Sequence, residues 1–583
     1  MTGLALAPCA VHSKKIGDSW ILTSPEPLRD PPATLGNMFR AAAEKAPSRD
    51  FLIERRGDDL RRVTYAEALA HAEGTAAWLL AEGHTSVVAL SGNSVDHALV
   101  MLGCFLAGVP FVPVSPAYTT MSKDFAKLQI VLAKVRPSAL FAETPSWRGI
   151  DVAQRSTGAG LITNRERATE TRQLPKTTAD DVAKILFTSG STGFPKGVPN
   201  THRMLCSNQQ MITQCWPFLD EEDFVPVLVD WLPWSHTFGG NHNFNLVLAH
   251  AGTLLVDEGR PLTIEATLRN LRALPPTLYF NVPAGYAALV PRLEADVDLA
   301  TSFFSRLRVM FYAAAALPPD LWKRLVLLAQ KHAPREVFMT TAWGSTETSP
   351  MATSAHFPLE GAGNIGLPPP GVTLKVVPSG NKLEVRVKGP SVMSGYLDEP
   401  ELTAKAFDDD GFYKIGDAVK FVDESDPSRG LLFDGRVAED FKLSSGTWVG
   451  VTGLRTGIVA LAGGVLMDVV VCGHDREALS ILAWPSVAGC RAIAGDSSLA
   501  ALAVSEVVRD HVRHLLLAWN RENPGSSTRV TRVILLGEAP DIDAGEITDK
   551  GYINQRATLE RRAHHLSDLY ADHPSDRVIL IEV

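Results

Sequence analysis

The stretch KILFTSGSTGFPKGVPNTH, Lys184 to His202, sets small hydroxylated residues and glycines between an apolar run and a lysine. Thr188, Ser189, Gly190, Ser191, Thr192 and Gly193 form a turn whose backbone N–H groups could surround an anion, with hydroxyls as extra donors and Lys196 as a cation. That chemistry suits a phosphate. The Walker pattern needs Gly-Lys-Ser/Thr, and Pro195-Lys196-Gly197 stands in its place, so the P-loop hydrolase signature is not met. On its own the stretch fits a Ser- and Gly-rich surface loop equally well. Three other stretches tip the balance. TAWGSTETSP offers the Thr346 hydroxyl to a phosphate and the Glu347 carboxylate to Mg²⁺, a hard ion that takes oxygen ligands. GFYKIGDAV puts Asp417 behind a glycine, where a carboxylate can accept from both hydroxyls of a ribose, and LFDGRVAEDFKLSSGTW adds Arg436. Singly, each also reads as a turn residue, a helix cap or a surface charge.

Such residues need a scaffold, and the chain is long enough to build a divided one. At 583 residues it exceeds what one core serves and should form at least two domains. Apolar content of 45% and charged content of 21% are ordinary for a globular protein, and a net charge of −9 leaves no basic footprint for nucleic acid. The six cysteines lack metal-type spacing and suit a reducing compartment, as buried apolar fillers. No basic segment precedes the short apolar patch at the N-terminus, so it does not read as a signal peptide. The longest uncharged run, Ala98 to Val114, is broken by Gly108, Pro110 and Pro113, and predicts a buried helix turning into a buried strand rather than a membrane span. The expectation is a cytoplasmic protein with neither membrane nor nucleic acid as partner. PATLGNMFRAAAEKA and VDHALVMLGCFLAG read as helices, SVVAL and VPFVPV as strands. Their alternation predicts an α/β fold, with a large N-terminal domain of layered α/β subdomains over 1–437 and a small mobile α+β domain over 438–583.

In this order the set FTSGSTGFPKG, LPWSHTFGG, WGSTET, GFYKIGD and DGRVAEDFKL resembles the adenylate-forming superfamily of acyl-CoA synthetases, luciferases and peptide-synthetase adenylation domains. The resemblance runs from about Phe39 to the region of Arg562. VDWLPWSHTFGGNHNFNLVL, EDFKLSSGTWV and DAGEITDKGYINQR are most similar to bacterial feruloyl-CoA synthetases. The resemblance implies that Thr188, Ser189, Gly190, Ser191, Thr192, Gly193 and Lys196 clasp the β- and γ-phosphates of ATP. It likewise implies that Thr346 touches the α-phosphate, Glu347 holds Mg²⁺, Trp343 lies against adenine, and Asp417 and Arg436 bind the ribose. His236 falls at the aromatic or His position bordering the carboxylate pocket, although a lone histidine also fits a hydrogen-bonded core role. The pocket is expected to include Phe238, Gly239, Asn281, Tyr312, Ala313, Ala314 and Gly344, with room for a flat ring.

The implied reaction has two halves: AMP transfer makes a carboxylate into a mixed anhydride, and the CoA thiol then displaces AMP. Such steps need positioning and charge neutralisation rather than a protein nucleophile. The chain departs from many relatives at Ala438, where a charged hinge residue is usual, and Glu439 and Asp440 follow. The catalytic-lysine signature is altered too, and Lys550 of GEITDKG takes that role. IAGDSSLA around Ser497 superficially matches a carrier-protein serine motif but lies ahead of Lys550, inside the small domain, and reads as a loop and helix cap. Free CoA is therefore the expected acceptor. A hydroxycinnamate (ferulate, p-coumarate or caffeate) is the expected aromatic acid, with another acid such as a fatty acid or benzoate as alternative. A nucleotide-binding regulator without turnover is the alternative of another class. Assembly is left open, a homodimer included.

Overall fold

A computed structural model describes residues 4–143, 147–163, 174–188, 194–260, 263–548 and 551–581. The layered α/β architecture expected from the sequence is the one observed. Three sheets are largely parallel. In the first, five parallel strands run in the order Val182–Thr188, Phe111–Pro113, Val87–Ala89, Ala139–Phe141 and Gly160–Ile162, and Lys196–Thr201 closes one edge antiparallel. The second carries Val227–Asp230, Thr253–Val256 and Asp50–Arg56 in parallel. The third carries Leu278–Asn281, Val309–Tyr312 and Phe338–Gly344 in parallel, with Met351–Ser354 antiparallel at the edge. A fourth, seven-stranded sheet is antiparallel throughout and includes the strands Lys382–Lys388, Tyr413–Phe421 and Leu431–Arg436.

The long apolar run is a helix that turns into a strand. Ser94 caps Val95–Ala107 by accepting from the His97 N–H, and Gly108, at a φ of 70° that suits glycine, ends it. Twelve of its residues are buried, and the strand Phe111–Pro113 follows directly in the first sheet. Gly103 lets that helix approach Tyr65–Ala81, since a Cβ there would sit 2.7 Å from the Thr75 side chain. Among the described residues, no helix is long and apolar enough to cross a membrane. Five cysteines are buried, and Cys9 is exposed.

Beyond Phe441 the chain builds a separate four-stranded sheet, Leu466–Cys472, Leu479–Pro485, Val530–Leu535 and Val578–Leu580, with apolar clusters of its own. Ser498, next to the expected Ser497, caps the helix Leu499–Val504 there. Polar contacts among the described residues seat this part on the rest. Asp440 pairs with Lys382 at 2.7 Å, both side chains buried, and the Asp543 carboxylate accepts from the Lys123 N–H at 2.9 Å beside a bond from Lys127 Nζ to the Ile542 carbonyl.

Candidate active site

Trp343 and Gly344 end the strand Phe338–Gly344, and the short 3-10 turn Thr346–Thr348 follows, with Thr346 and Glu347 buried. A Cβ at Gly344 would lie 1.7 Å from the Pro350 carbonyl oxygen, so the chain can fold back at this point only through glycine. Strand register places Asp417 opposite Arg436 in the neighbouring sheet. There the Trp343 Nε1–H donates to Asp417 Oδ2 at 2.8 Å, and Arg436 Nε pairs with Asp417 Oδ1 at 3.0 Å. Burial pushes the Asp417 carboxyl up, against the pull of the guanidinium and the indole N–H. Residues from three strands in two sheets thus meet at one carboxylate.

The second contact centres on Tyr396, which the sequence reading did not single out. Its hydroxyl donates to Glu347 Oε1 at 3.0 Å, and Lys196 Nζ stands over its ring at 5.5 Å. Burial lowers the Lys196 pKa, and the carboxylates of Glu347 and Glu399 oppose it. Lys196 is in register with Thr188 across the hairpin. Ser189, Gly190, Ser191, Thr192, Gly193 and Lys550 lie outside the described residues. Among the described residues no cluster of three or more His, Cys, Asp or Glu side chains could hold a metal, so Glu347 offers a single carboxylate.

A buried polar chain ties these pieces together. Lys184, four residues before Thr188, is fully buried. Its Nζ donates to the Gly240 carbonyl at 2.5 Å and lies 3.4 Å from Asn241 Oδ1, and burial pulls its pKa down to about 7. Asn241 Nδ2 donates to Asn200 Oδ1 at 2.9 Å, and Asn200 Nδ2 donates to the Thr346 carbonyl at 3.4 Å. The strand Val182–Thr188, the turn after His236 and the turn bearing Glu347 are therefore one hydrogen-bonded unit. Its only trace in the sequence is a lysine inside an apolar strand pattern.

On the other side of that unit, Phe238–Asn243 is a single π-helical turn, a local form that recurs at functional sites. His236 is half-buried just before it, and its carbonyl accepts from the Gly240 N–H at 2.8 Å. A Cβ at Gly239 or Gly240 would come within 2.3 Å of the Leu232 or Trp234 carbonyl oxygen. These glycines serve the close approach of the turn to the preceding chain. Phe238, half-buried, packs against Phe280 and Phe311 at centroid distances of 6.5 and 5.6 Å.

Because side chains alternate along a strand, Phe280 and Phe311 face the π turn while their neighbours Asn281 and Tyr312 face away. Asn281 Nδ2 donates to the Tyr279 hydroxyl at 3.0 Å, and the Tyr312 ring lies against Trp322 at 6.0 Å. Ala313 is half-buried, and Ala314 is exposed with a left-handed φ of 73°. Of the expected pocket residues, then, Phe238, on the π turn, follows His236 by two positions, whereas the side chains of Asn281 and Tyr312 lie on the face of their sheet away from Phe238. Phe280, Phe311 and His242 are the rings that meet Phe238. The alternation within LYFN and VMFY was the signal that could have found the two phenylalanines.

A family model described as AMP-binding enzyme matches residues 39–397. Malonate–CoA ligase of Arabidopsis thaliana is 30% identical over 42% of this chain and 41% of its own length, so the match spans less than half of that relative. Medium-chain fatty-acid–CoA ligase of Escherichia coli is 27% identical over 67% of this chain and 71% of its own. The crystal structure of ATP-bound MatB from Rhodopseudomonas palustris superposes with a TM-score of 0.68 at 24% identity, covering 90% of this chain and 98% of that one.

Proposed function

The chain belongs to the AMP-binding enzyme family, and from that premise we propose that it joins an aromatic carboxylic acid of the hydroxycinnamate class to coenzyme A through an acyl-adenylate. The observation that carries this reading is the meeting of Trp343, Asp417 and Arg436 at one point, with Glu347, four residues after Trp343, bonded to Tyr396, whose ring lies under Lys196, and an aromatic wall beyond His236.

Trp343 and Asp417, bonded to each other, suit the base and sugar of one nucleoside: the indole offers a face to adenine, and each carboxylate oxygen keeps lone pairs for ribose hydroxyls. Arg436 holds that carboxylate in place. Thr188, Lys196 and the segment 189–193 receive the β- and γ-phosphates, and the Thr346 hydroxyl the α-phosphate. Glu347 would hold Mg²⁺, for which one carboxylate completed by phosphate and water oxygens is a usual donor set; when bound, the ion neutralises phosphate charge. Tyr396 fixes the Glu347 carboxylate by its hydrogen bond.

With His236 at its border, the acid's carboxylate attacks the α-phosphorus. One P–O bond forms, the bond to pyrophosphate breaks, and the mixed anhydride results. Lys550, presented by the small domain, stabilises the charge that builds on the transferring oxygens. The small domain then turns, and the CoA thiolate attacks the acyl carbon and releases AMP. The docking of Ile542 and Asp543 on Lys127 and Lys123 supports a small domain that seats on the large one.

The test is a panel of acids with ATP, Mg²⁺ and CoA, read as AMP release. Ferulate and p-coumarate should exceed octanoate and palmitate at equal concentration. The reverse ranking would favour the fatty-acid reading that the Escherichia coli relative suggests, and no turnover with any acid would favour a binder.

A further inference from the structure

The strand Val182–Thr188 buries a lysine at a position where its pattern calls for an apolar side chain. Phe105 and Phe244 lie against the Lys184 Nζ at 5.5 and 5.8 Å, rings that favour a cation but do not neutralise one. Its hydrogen-bond partners, the Gly240 carbonyl at 2.5 Å and Asn241 Oδ1 at 3.4 Å, are neutral as well. His97, on the helix Val95–Ala107, feels the charge of Lys184, and burial above all holds that ring down to about 4. Among the described residues no carboxylate is paired with Lys184, and burial pulls its own pKa down to about 7. A methionine of similar length would fill the strand position without the loss of hydration that a buried ammonium suffers. The lysine is therefore explained by what its Nζ holds.

What it holds is the π turn Phe238–Asn243. The Phe244 N–H reaches back to the Gly239 carbonyl, one residue further than in an α-helix. Lys184 takes the next carbonyl, that of Gly240, and Gln209 Nε2 donates to the Asn241 and His242 carbonyls at 2.9 and 3.3 Å. The Gly240 N–H in turn donates to the His236 carbonyl at 2.8 Å. From the same turn Asn241 Nδ2 donates to Asn200 Oδ1, and Asn200 Nδ2 to the Thr346 carbonyl. We infer that Lys184 is a positioning residue: it clamps the turn after His236 to the turn of Thr346 and Glu347, and so keeps acid and nucleotide in register for adenylation. This rests on the adenylate-forming reading above and not on the kind of acid. The reacting pair in that step is two molecules, and a misplacement of about 1 Å between them costs ~10²-fold in rate. In the second step acyl group and AMP are one molecule, so a slack clamp leaves their register untouched.

The experiment compares Lys184→Met with the native chain, using ferulate or whichever acid of the panel the native chain turns over fastest. The kcat for adenylation should fall ~10–100-fold. The KM for ATP and for the acid should each stay within ~3-fold of native, because each substrate keeps its own contacts. Conversion of the prepared acyl-adenylate and CoA to the thioester should likewise stay within ~3-fold, and the denaturant midpoint should be no lower than native. A role in the fold alone would lower the midpoint and slow both halves together. That outcome, or an unchanged first half, overturns the inference and leaves the adenylate-forming reading standing. Should Lys184→Met not fold, the test passes to Asn200→Leu at the far end of the same chain of bonds: the same split is expected, and equal effects on both halves overturn it. If the native chain turns over no acid at all, the adenylate-forming reading fails first, and this inference with it.

Discussion

Two buried carboxylates set the two sides of the proposed site apart. Asp417, on the proposed nucleotide side, is 6% exposed and faces a full positive charge on Arg436. Asp230, behind the proposed acyl side, is 2% exposed and among the described residues is met by neutral donors, the Asn243 amide and the Leu232 N–H. Burial raises both pKa values, and without a counter-charge Asp230 is pushed up to about 7. Charge is thus balanced by charge where a polyanion is expected, and by oriented dipoles where an apolar ring is expected. The first arrangement suits the electrostatic catalysis proposed above; the second holds a buried carboxyl by dipoles alone.

The contrast breaks most sharply at the phosphates. Glu347→Gln keeps the shape and removes the charge, and should lower AMP formation by ~10²–10³-fold at saturating Mg²⁺ while the thermal midpoint holds. Turnover at the native level would remove Glu347 from the reaction. Lys550→Ala should lose a similar ~10²–10³-fold in ATP-dependent adenylation, yet convert prepared feruloyl-adenylate and CoA to the thioester near the native rate. Equal loss in both halves would point to a misfolded small domain, checked by thermal melting.

Next in size is the acyl-side carboxylate. A carboxyl whose folded pKa lies above its ordinary value of 3.8 binds its proton more tightly folded than unfolded. Its contribution is therefore present below pH 4 and is lost as pH rises through 7. Asp230→Asn has no proton to lose, so its stability relative to the native chain should improve by ~2–4 kcal/mol between pH 5 and 8, read from denaturant midpoints. A gap that stays constant across that range would mean that Asp230 is ionised throughout and that the two carboxylates do not differ as described.

Trp343→Phe keeps an aromatic face but takes a donor from Asp417, and should raise the KM for ATP ~10-fold with little change for the acid. A larger change for the acid would place Trp343 on the acyl side. The smallest effect belongs to Ala314, whose left-handed backbone is strained for any residue with a Cβ. Ala314→Gly should stabilise the protein by no more than ~1 kcal/mol, measured by chemical denaturation. A loss of stability would show that the methyl group packs.

The legibility of the sequence followed the same divide. Trp343, Thr346, Glu347, Asp417 and Arg436 could be picked out because their chemistry fixes residue type within short motifs, and the structure sets Trp343, Asp417 and Arg436 side by side. Tyr396 stands in no such motif, and its hydroxyl reaches Glu347 across 49 positions. Asn281 and Tyr312 end their strands, and a strand end does not say which face a side chain takes.

What the sequence by itself determined was local and periodic. The run from Ala98 to Val114 had to be a buried helix and strand, and the glycines and capping residues set where elements stop. What only the tertiary structure decided was which of those pieces touch. Lys184 meets the Gly240 carbonyl across 56 positions, and Asn243 meets Asp230 across 13. The physical reason is that a buried polar atom must find its partner wherever packing leaves one, and packing is settled by the shapes of all the layers together.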